Sequence, residues 1–172
     1  MPPLILASTS RYRRELLTRL RLPFEAVAPE VDERAHPGEA PAALAERLAL
    51  AKARAVAVLR PGAVVIGSDQ VADLGGEAIG KPGTHEAAAA QLRRMSGREV
   101  VFQTAVAVVA PGLAAIERAE VRVRFRELSD AAIETYLRAD QPYDCAGSAK
   151  VESLGVALLD AVESDDPTAL VG

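Results

Sequence analysis

The 172-residue sequence contains no tryptophan, one cysteine, two histidines and only 3% aromatic residues. The single Cys145 excludes an internal disulfide framework and a cysteine-rich zinc site. Two histidines, His36 and His85, are too few for a histidine-based metal cluster. No apolar run approaches the roughly 20 residues that span a bilayer, and charges follow the first apolar run, whereas in a signal peptide they precede it. We therefore expect a cytoplasmic protein without a membrane partner.

Lysine is also scarce, with three lysines among 20 basic residues and 17 arginines making up the rest. A chain that favours arginine either keeps a lysine where a compact ammonium is needed or keeps it by chance. The lysines are Lys52, Lys81 and Lys150. The formal net charge of −4 argues against a general nucleic-acid surface, so no nucleic-acid partner is expected.

Apolar runs and amphipathic segments alternate along the chain, which predicts one α/β (α+β) domain over residues 1–172. β-branched runs and turn residues predict strands at 3–7, 24–28, 63–66, 77–79, 100–109, 116–125 and 156–159. Helices are predicted at 11–20 and 41–59, from Thr84 to residue 95, and from Ser129 to residue 139.

The opening segment, residues 4–17, carries the clearest chemical signal. An apolar run of strand length ends in Ser8, Thr9 and Ser10, and the predicted helix that follows has three arginines in its first turn. Arginines there oppose the helix dipole, whereas hydroxyls and arginines together suit a phosphate. The alternative is an N-capping Ser10 followed by a solvated basic face; we favour a phosphate or polyphosphate pocket.

Lys52 lies within the apolar stripe of the long predicted helix. Its apolar positions recur at three- and four-residue spacing, at Leu44, Leu48, Ala55 and Leu59. A lysine in such a stripe either extends to solvent or meets a buried anion. Because a phosphate pocket is predicted nearby, we favour an anionic ligand for Lys52.

Asp69 follows the apolar run 64–66, at the C-terminal end of a predicted buried strand, where open α/β sheets bind ligands. The alternative is a turn-forming aspartate beside Gly67. Together with Glu33, Asp69 supplies two carboxylates that could share a divalent cation and a nucleophilic water.

Other candidate motifs are weaker. Residues 75–81 match a phosphate-binding P-loop until Pro82, which stands where a serine or threonine must bind magnesium. Cys145 has no evident histidine partner and is interpreted as a small hydrophobic residue. His36 and His85 lie in polar contexts and are expected to be solvated.

Taken together, these segments resemble the Maf family of nucleoside triphosphate pyrophosphatases from Leu4 to Gly172. The resemblance lies in the opening segment and in Val31-Asp32-Glu33, Leu48 to Ala53, Gly67 to Val71, Gly80-Lys81-Pro82, Met95-Ser96-Gly97, Cys145 to Ser148 and Leu170-Val171-Gly172. It implies a mixed, strongly curved sheet flanked by helices, with two lobes around a deep cleft (Maf/ITPase-like). It also implies that the family pattern continues beyond Gly172 into a closing helix that this sequence lacks, and that the protein forms a homodimer.

The resemblance further implies hydrolysis between the α- and β-phosphates of a small-molecule nucleotide, with Asp69 as general base. Glu33 and Asp69 would hold a divalent cation, Mg²⁺ or Mn²⁺. The triphosphate would be bound by Ser8, Ser10, Arg13, Lys52 and Lys81. The role of Lys150 is left open.

Within the family, Tyr12, Gln70 and Leu154 occupy positions that mark substrate choice, and here they resemble the branch that acts on 7-methyl-GTP. A tyrosine face can attract the positively charged methylated guanine. Such an enzyme would remove modified nucleotides from the pool, a house-cleaning role. The alternatives are a dTTP, UTP or CTP pyrophosphatase of the same family, a non-catalytic nucleotide-binding regulator of septum formation, and a structural domain with a basic cleft.

Overall fold

The computed structural model describes residues 2–172 as a mixed α/β fold. Its strands are β1 (Leu4–Ala7), β2 (Glu25–Val27), β3 (Val64–Leu74), β4 (Glu77–Ile79), β5 (Glu99–Ala110), β6 (Leu113–Phe125) and β7 (Leu159–Glu163). Its α-helices are α1 (Arg11–Thr18), α2 (Pro41–Leu59), α3 (His85–Met95) and α4 (Asp130–Asp140). Two short 3₁₀ turns cover Ala146–Ser148 and Leu154–Leu158.

Local sequence explains where the helices begin. Pro41 starts α2, a position at which the missing N–H of proline costs nothing. Thr84 and Ser129 cap α3 and α4, with side chains that accept hydrogen bonds from Ala87 N at 3.2 Å and Ala132 N at 3.1 Å. These starts were predicted from the sequence and are confirmed.

The strands form a mixed seven-stranded sheet in the order β2-β1-β3-β5-β6-β7, with β4 paired to β3. β1 runs parallel to both β2 and β3, whereas β3–β4 and β6–β7 are antiparallel. Ala7 at the end of β1 lies opposite Gly67 in β3. Ser8, which follows the end of β1, and Ser68–Asp69, inside β3, therefore come directly after this pair on neighbouring parallel strands.

The chain divides into two compact units. The first unit comprises residues up to 70, residues 104–119 and residue 172; the second comprises 71–103 and 120–171. Strands β3, β5 and β6 contribute residues to both. The single domain over 1–172 stays a prediction.

In the first unit, β3 packs unusually close to α2. A Cβ atom at Gly67 would clash with the carbonyl oxygen of Ala49 and lie 2.6 Å from the backbone nitrogen of Ala53. Only glycine allows that approach. The neighbouring buried residues Lys52 and Asp69 therefore face each other across this contact.

The second unit has its own apolar core under α3 and α4. Its large, fully buried side chains are Leu92, Met95, Val100, Phe102, Val121, Val123, Phe125, Ile133 and Leu137. The Ala146–Ser148 turn packs against α3, and the Leu154–Leu158 turn against α4.

Three local predictions are wrong. Residues 156–158, predicted as strand, belong to a 3₁₀ turn, and β7 begins only at Leu159, because the pairing with Phe125 starts there. β3 does not end at residue 66, since its second half pairs with β4 through Leu74, so Asp69 lies inside the strand. Leu59 is 67% exposed, and Val56 is the last buried residue of α2.

Along residues 2–172, no helix combines the length and apolarity that crossing a membrane would need.

Candidate active site

The serines of the opening segment form a local hydrogen-bonded turn before α1. Ser10 caps the helix by accepting from Arg13 N at 3.4 Å, and Ser8 Oγ accepts from Ser10 N at 3.0 Å. The capping alternative is therefore correct for Ser10. A hydroxyl that accepts still carries a hydrogen to donate, so both serines keep the chemistry needed to bind a phosphate oxygen.

The side chain of Arg13 has a buried donor nitrogen, Nε, without a hydrogen-bond partner among the described residues. Burial lowers the pKa of the Arg13 guanidinium, and the charges of Asp69 and Glu33 act in the opposite direction. A buried charged donor without a partner is costly, and a phosphate oxygen is a group that could accept from it.

Lys52, Asp69 and Glu33 form an ion-pair cluster in the first unit. Lys52 Nζ lies 2.6 Å from Asp69 Oδ1 and 2.9 Å from Glu33 Oε1. The side chains of Lys52 and Asp69 are only 7% and 10% exposed, whereas that of Glu33 is 55% exposed. Lys52 does not extend to solvent, and its partners in this structure are the two carboxylates. That it binds an anionic ligand stays a prediction.

The pKa of the Asp69 carboxyl is raised, chiefly by burial and also by Glu33, although Lys52 and Arg13 act to lower it. A carboxylate with a raised pKa holds a proton more strongly than an exposed one. Such a group is suited to accept a proton from water near neutral pH.

An ion pair between Glu39 and Arg47, here called the Glu39–Arg47 clip, joins the loop that carries Glu33 to α2. The sequence did not indicate this pair. Arg47 Nε donates to Glu39 Oε1 at 2.6 Å, and its terminal nitrogen donates to Glu39 Oε2 at 2.8 Å and to the Arg34 carbonyl at 3.0 Å. These bonds, with one from His36 N, lower the pKa of Glu39 to about 2. Glu39 lies eight residues before Arg47 and outside α2. Helical spacing in the sequence therefore could not indicate that the two side chains pair.

The three predicted specificity residues lie in different settings. Tyr12 is half-buried, and the guanidinium of Arg11 lies 4.7 Å from its ring centroid and donates to its hydroxyl at 2.7 Å. Gln70 Nε2 donates to Thr104 Oγ1 at 3.0 Å. Leu154 belongs to the second unit, is 42% exposed and opens a 3₁₀ turn.

Lys81 lies in the second unit, exposed in the loop between β4 and α3. Both ends of this loop are hydrogen-bonded: the Gly80 carbonyl accepts from Gln91 Nε2 at 3.1 Å, and Gly83 N donates to the Tyr143 carbonyl at 3.0 Å. The half-buried Lys150 is fixed through its backbone N–H, which donates to the hydroxyl of Tyr136 at 2.9 Å.

His85 is not solvated as predicted. Its Nδ1 lies 2.9 Å from the Tyr143 hydroxyl and its Nε2 lies 2.8 Å from Glu134 Oε2. Both partners are distant in sequence, in a loop and in α4, so no local pattern could reveal them. His36 is exposed as expected.

The arrangement in the first unit thus combines a buried carboxylate, two cations and hydroxyl donors around the end of β1 and the middle of β3. A family profile described as Maf-like protein matches residues 3–172 of the chain.

The chain belongs to the Maf-like protein family.

Several relatives of this Maf-like chain are named 7-methyl-GTP pyrophosphatase. One from Albidiferax ferrireducens is 66% identical over 171 residues, covering 98% of this chain and 86% of the relative. One from a Polaromonas species is 68% identical over 172 residues, with 99% and 78% covered. One from Bordetella pertussis is 63% identical over 171 residues, with 99% and 86% covered.

A crystal structure of a nucleoside-triphosphatase / dITP/XTP pyrophosphatase from Mycobacterium abscessus matches the Maf-like chain with 21% identity and a TM-score of 0.47. The match covers 73% of this chain and 75% of that one. The score is too low to carry a functional argument.

Proposed function

We propose that this Maf-like protein is a nucleoside triphosphate pyrophosphatase that hydrolyses 7-methyl-GTP to 7-methyl-GMP and pyrophosphate. The observation that carries the proposal is the buried Asp69 carboxylate, with its raised pKa, beside the buried Lys52 and the half-buried Arg13, whose Nε is itself buried. The names of relatives 63–68% identical to the chain support both the reaction and the substrate.

Asp69 is the general base in this proposal. Its carboxylate accepts a proton from a water whose oxygen bonds to phosphorus, while the α–β bridging bond breaks and its electron pair leaves with pyrophosphate. Phosphoryl transfer needs alignment and neutralised charge more than covalent chemistry. The group must therefore be ionised, and its raised pKa makes it a stronger base than an exposed aspartate.

Ser8, Ser10, Arg13, Lys52 and Lys81 bind the triphosphate. The buried Nε of Arg13, which no described residue accepts from, gains a phosphate oxygen as its partner. The hydroxyls donate, and the cations neutralise the charge that builds on the leaving pyrophosphate. A guanidinium is suited to this because it can bind two phosphate oxygens at once.

A divalent cation, Mg²⁺ or Mn²⁺, fits the carboxylates of Glu33 and Asp69. One carboxylate oxygen of each residue lies within 2.9 Å of Lys52 Nζ. The two carboxylates therefore already share one positive charge. The described residues contain no group of three or more His, Cys, Asp or Glu side chains that could hold a metal alone. Two carboxylates are nevertheless the usual protein share of a magnesium site completed by substrate phosphates. When bound, the ion would neutralise phosphate charge and lower the pKa of a bound water.

Tyr12, Gln70 and Leu154 select the base. The Tyr12 ring already attracts one cation, the Arg11 guanidinium, which supports its use for a positively charged methylated guanine. Thr104 restrains the amide of Gln70, and a restrained amide discriminates between bases better than a mobile one.

We further propose that the enzyme works in the cytoplasm, where nucleoside triphosphates are made, and that it forms a homodimer. Light scattering after size-exclusion chromatography tests the dimer, which predicts twice the 18.1 kDa chain mass.

The test of the proposed function is pyrophosphate release with Mg²⁺ or Mn²⁺ from 7-methyl-GTP, GTP, dTTP, UTP and CTP. We expect the highest kcat/KM for 7-methyl-GTP, with 7-methyl-GMP as the second product. A pyrimidine nucleotide as the preferred substrate would keep the reaction and contradict the assigned roles of Tyr12 and Gln70.

A further inference from the structure

A polar network in the second unit joins the buried Ser148 and the half-buried Gln91 to Gly80, the residue that precedes Lys81. Gln91, on α3, uses both ends of its amide: Nε2 donates to the Gly80 carbonyl at 3.1 Å, and Oε1 accepts from Ser148 Oγ at 2.6 Å. The amide orientation follows from these partners, because a reversed amide would place its oxygen against the Gly80 carbonyl.

The turn that supplies Ser148 is fully buried and has an unusual backbone. Ser148 is 0% exposed, with φ at +55°, a left-handed conformation that is unfavourable for any residue except glycine. Its carbonyl accepts from the Tyr136 hydroxyl at 3.0 Å. Gly147, at φ +65°, has little room for a side chain, since a Cβ would lie 3.2 Å from that of Ala72 and 3.3 Å from Phe102 Cζ.

This strained turn also reaches Gly80 directly. Gly147 N donates to the Gly80 carbonyl at 3.3 Å, so that one carbonyl accepts both from the turn and from Gln91. On the far side of Lys81, Gly83 N donates to the Tyr143 carbonyl. The four-residue loop 80–83 is thus held at both ends, while Lys81 itself is exposed. Local strain that a fold maintains is typical of functional positions.

We propose that Gln91 and Ser148 are positioning residues that fix the backbone of Lys81 so that its ammonium meets the substrate phosphates. The inference rests on the proposed function, in which Lys81 binds the triphosphate. Neither residue touches substrate; each acts by restricting where the Lys81 backbone lies, and a misplacement of about 1 Å can cost about 100-fold in rate.

The test is a double-mutant cycle with Gln91→Met and Lys81→Met, because methionine is similar in length to each side chain and forms no comparable hydrogen bond. We expect Gln91→Met to lower kcat/KM for 7-methyl-GTP by about 10- to 100-fold and Lys81→Met by about 10²- to 10³-fold. In the Lys81→Met background, Gln91→Met should change kcat/KM by less than about twofold, because its effect passes through the missing ammonium.

Ser148→Ala is the second variant, since it removes only the hydroxyl and should show the same loss of effect in the Lys81→Met background. Ser96→Ala is the matched control: it removes a 2.7 Å side-chain hydrogen bond with Leu128 N beyond the other end of α3, and kcat/KM should stay within about twofold of wild type. Melting temperatures of all variants report any loss of folding.

Equal losses from Gln91→Met in both backgrounds would overturn the inference, as would a Gln91→Met enzyme that behaves like Ser96→Ala. An active Lys81→Met enzyme would overturn it too, yet leave the role of Asp69 standing. If wild type releases no pyrophosphate, the proposed function fails, and the same cycle measured as the Kd for 7-methyl-GTP still decides whether Gln91 acts through Lys81.

Discussion

At the scale of single residues, the energetic cost of burying charge shapes the site. Burying Asp69 and Lys52 costs desolvation free energy, and their ion pair at 2.6 Å offsets that cost only in part. The pKa of Asp69 stays raised despite the nearby ammonium, which shows that the offset is incomplete. A pair that lowered this pKa would stabilise the fold and weaken the base. The site therefore trades stability for basicity.

The raised pKa of Asp69 predicts the pH dependence of activity. The base must be ionised, so kcat/KM for 7-methyl-GTP should fall as the pH falls through the pKa of Asp69, which burial raises and a bound divalent cation would lower. Profiles of kcat/KM against pH for wild type and Asp69→Asn measure that acid limb. An acid limb that persists unchanged in the residual activity of Asp69→Asn would contradict the assignment.

The same pKa shift predicts the effect of Asp69→Asn on folding. A raised folded-state pKa contributes stability below the unfolded pKa of 3.8 and loses it as pH rises through the folded value. At neutral pH the ionised carboxylate is a cost, and asparagine removes that cost. We expect Asp69→Asn to melt no lower than wild type in thermal unfolding at neutral pH, and a markedly lower melting temperature would contradict this.

The Nε of Arg13, buried and without a partner among residues 2–172, predicts that this guanidinium contributes mainly to binding substrate and transition state, and little to the stability of the free protein. Arg13→Met should lower kcat/KM by about 10²- to 10³-fold, the usual cost of losing one donor to developing negative charge. Arg14→Met is the matched control, because Arg14 is the next residue of α1 and is exposed. Equal losses from the two variants in steady-state kinetics would indicate a general electrostatic effect and not a specific donor.

At the scale of secondary-structure elements, the closeness of β3 and α2 brings the site together. Gly67→Ala should destabilise the fold by about 1–3 kcal/mol, the usual cost of overpacking, because the new Cβ meets the backbone of Ala49 and Ala53. It should also lower kcat by separating Lys52 from Asp69. Urea unfolding and kcat measure the two effects.

Gly80→Ala is the stability control, because a Cβ there meets no atom within 4 Å. Similar free energies of unfolding for the Gly67 and Gly80 variants would contradict the close contact of β3 with α2.

Element boundaries that depend on local chemistry could be predicted from the sequence, and those that depend on pairing could not. Thr84, Ser129 and Pro41 mark helix starts because capping involves near neighbours. The extension of β3 to Leu74 depends on pairing with β4, and the start of β7 depends on Phe125, which is distant in sequence. The same distinction separates Ser10, whose cap was an alternative that the sequence offered, from His85, whose distant partners the sequence did not indicate.

At the scale of the whole molecule, acid stability depends partly on the clip between Glu39 and Arg47. The pKa of Glu39 falls from 4.5 to about 2 in the folded protein, so its contribution is present above pH 4.5 and is lost as the pH falls toward 2. We expect wild type to lose stability over that range more steeply than Arg47→Met does. Urea unfolding midpoints at several pH values give the change of stability with pH for the two proteins. Equal pH dependences would contradict a stabilising role for the Glu39–Arg47 ion pair.

The central claim, that a Maf-like chain uses Asp69 as the base of a pyrophosphatase, is tested most directly by pairing turnover with binding in Asp69→Asn. The account predicts that pyrophosphate release from 7-methyl-GTP falls by about 10²- to 10⁴-fold, while calorimetry shows that the nucleotide still binds. Full turnover in Asp69→Asn would contradict the assignment of the base. Wild type that binds the nucleotide without turnover would contradict the enzyme itself and favour a nucleotide-binding regulator.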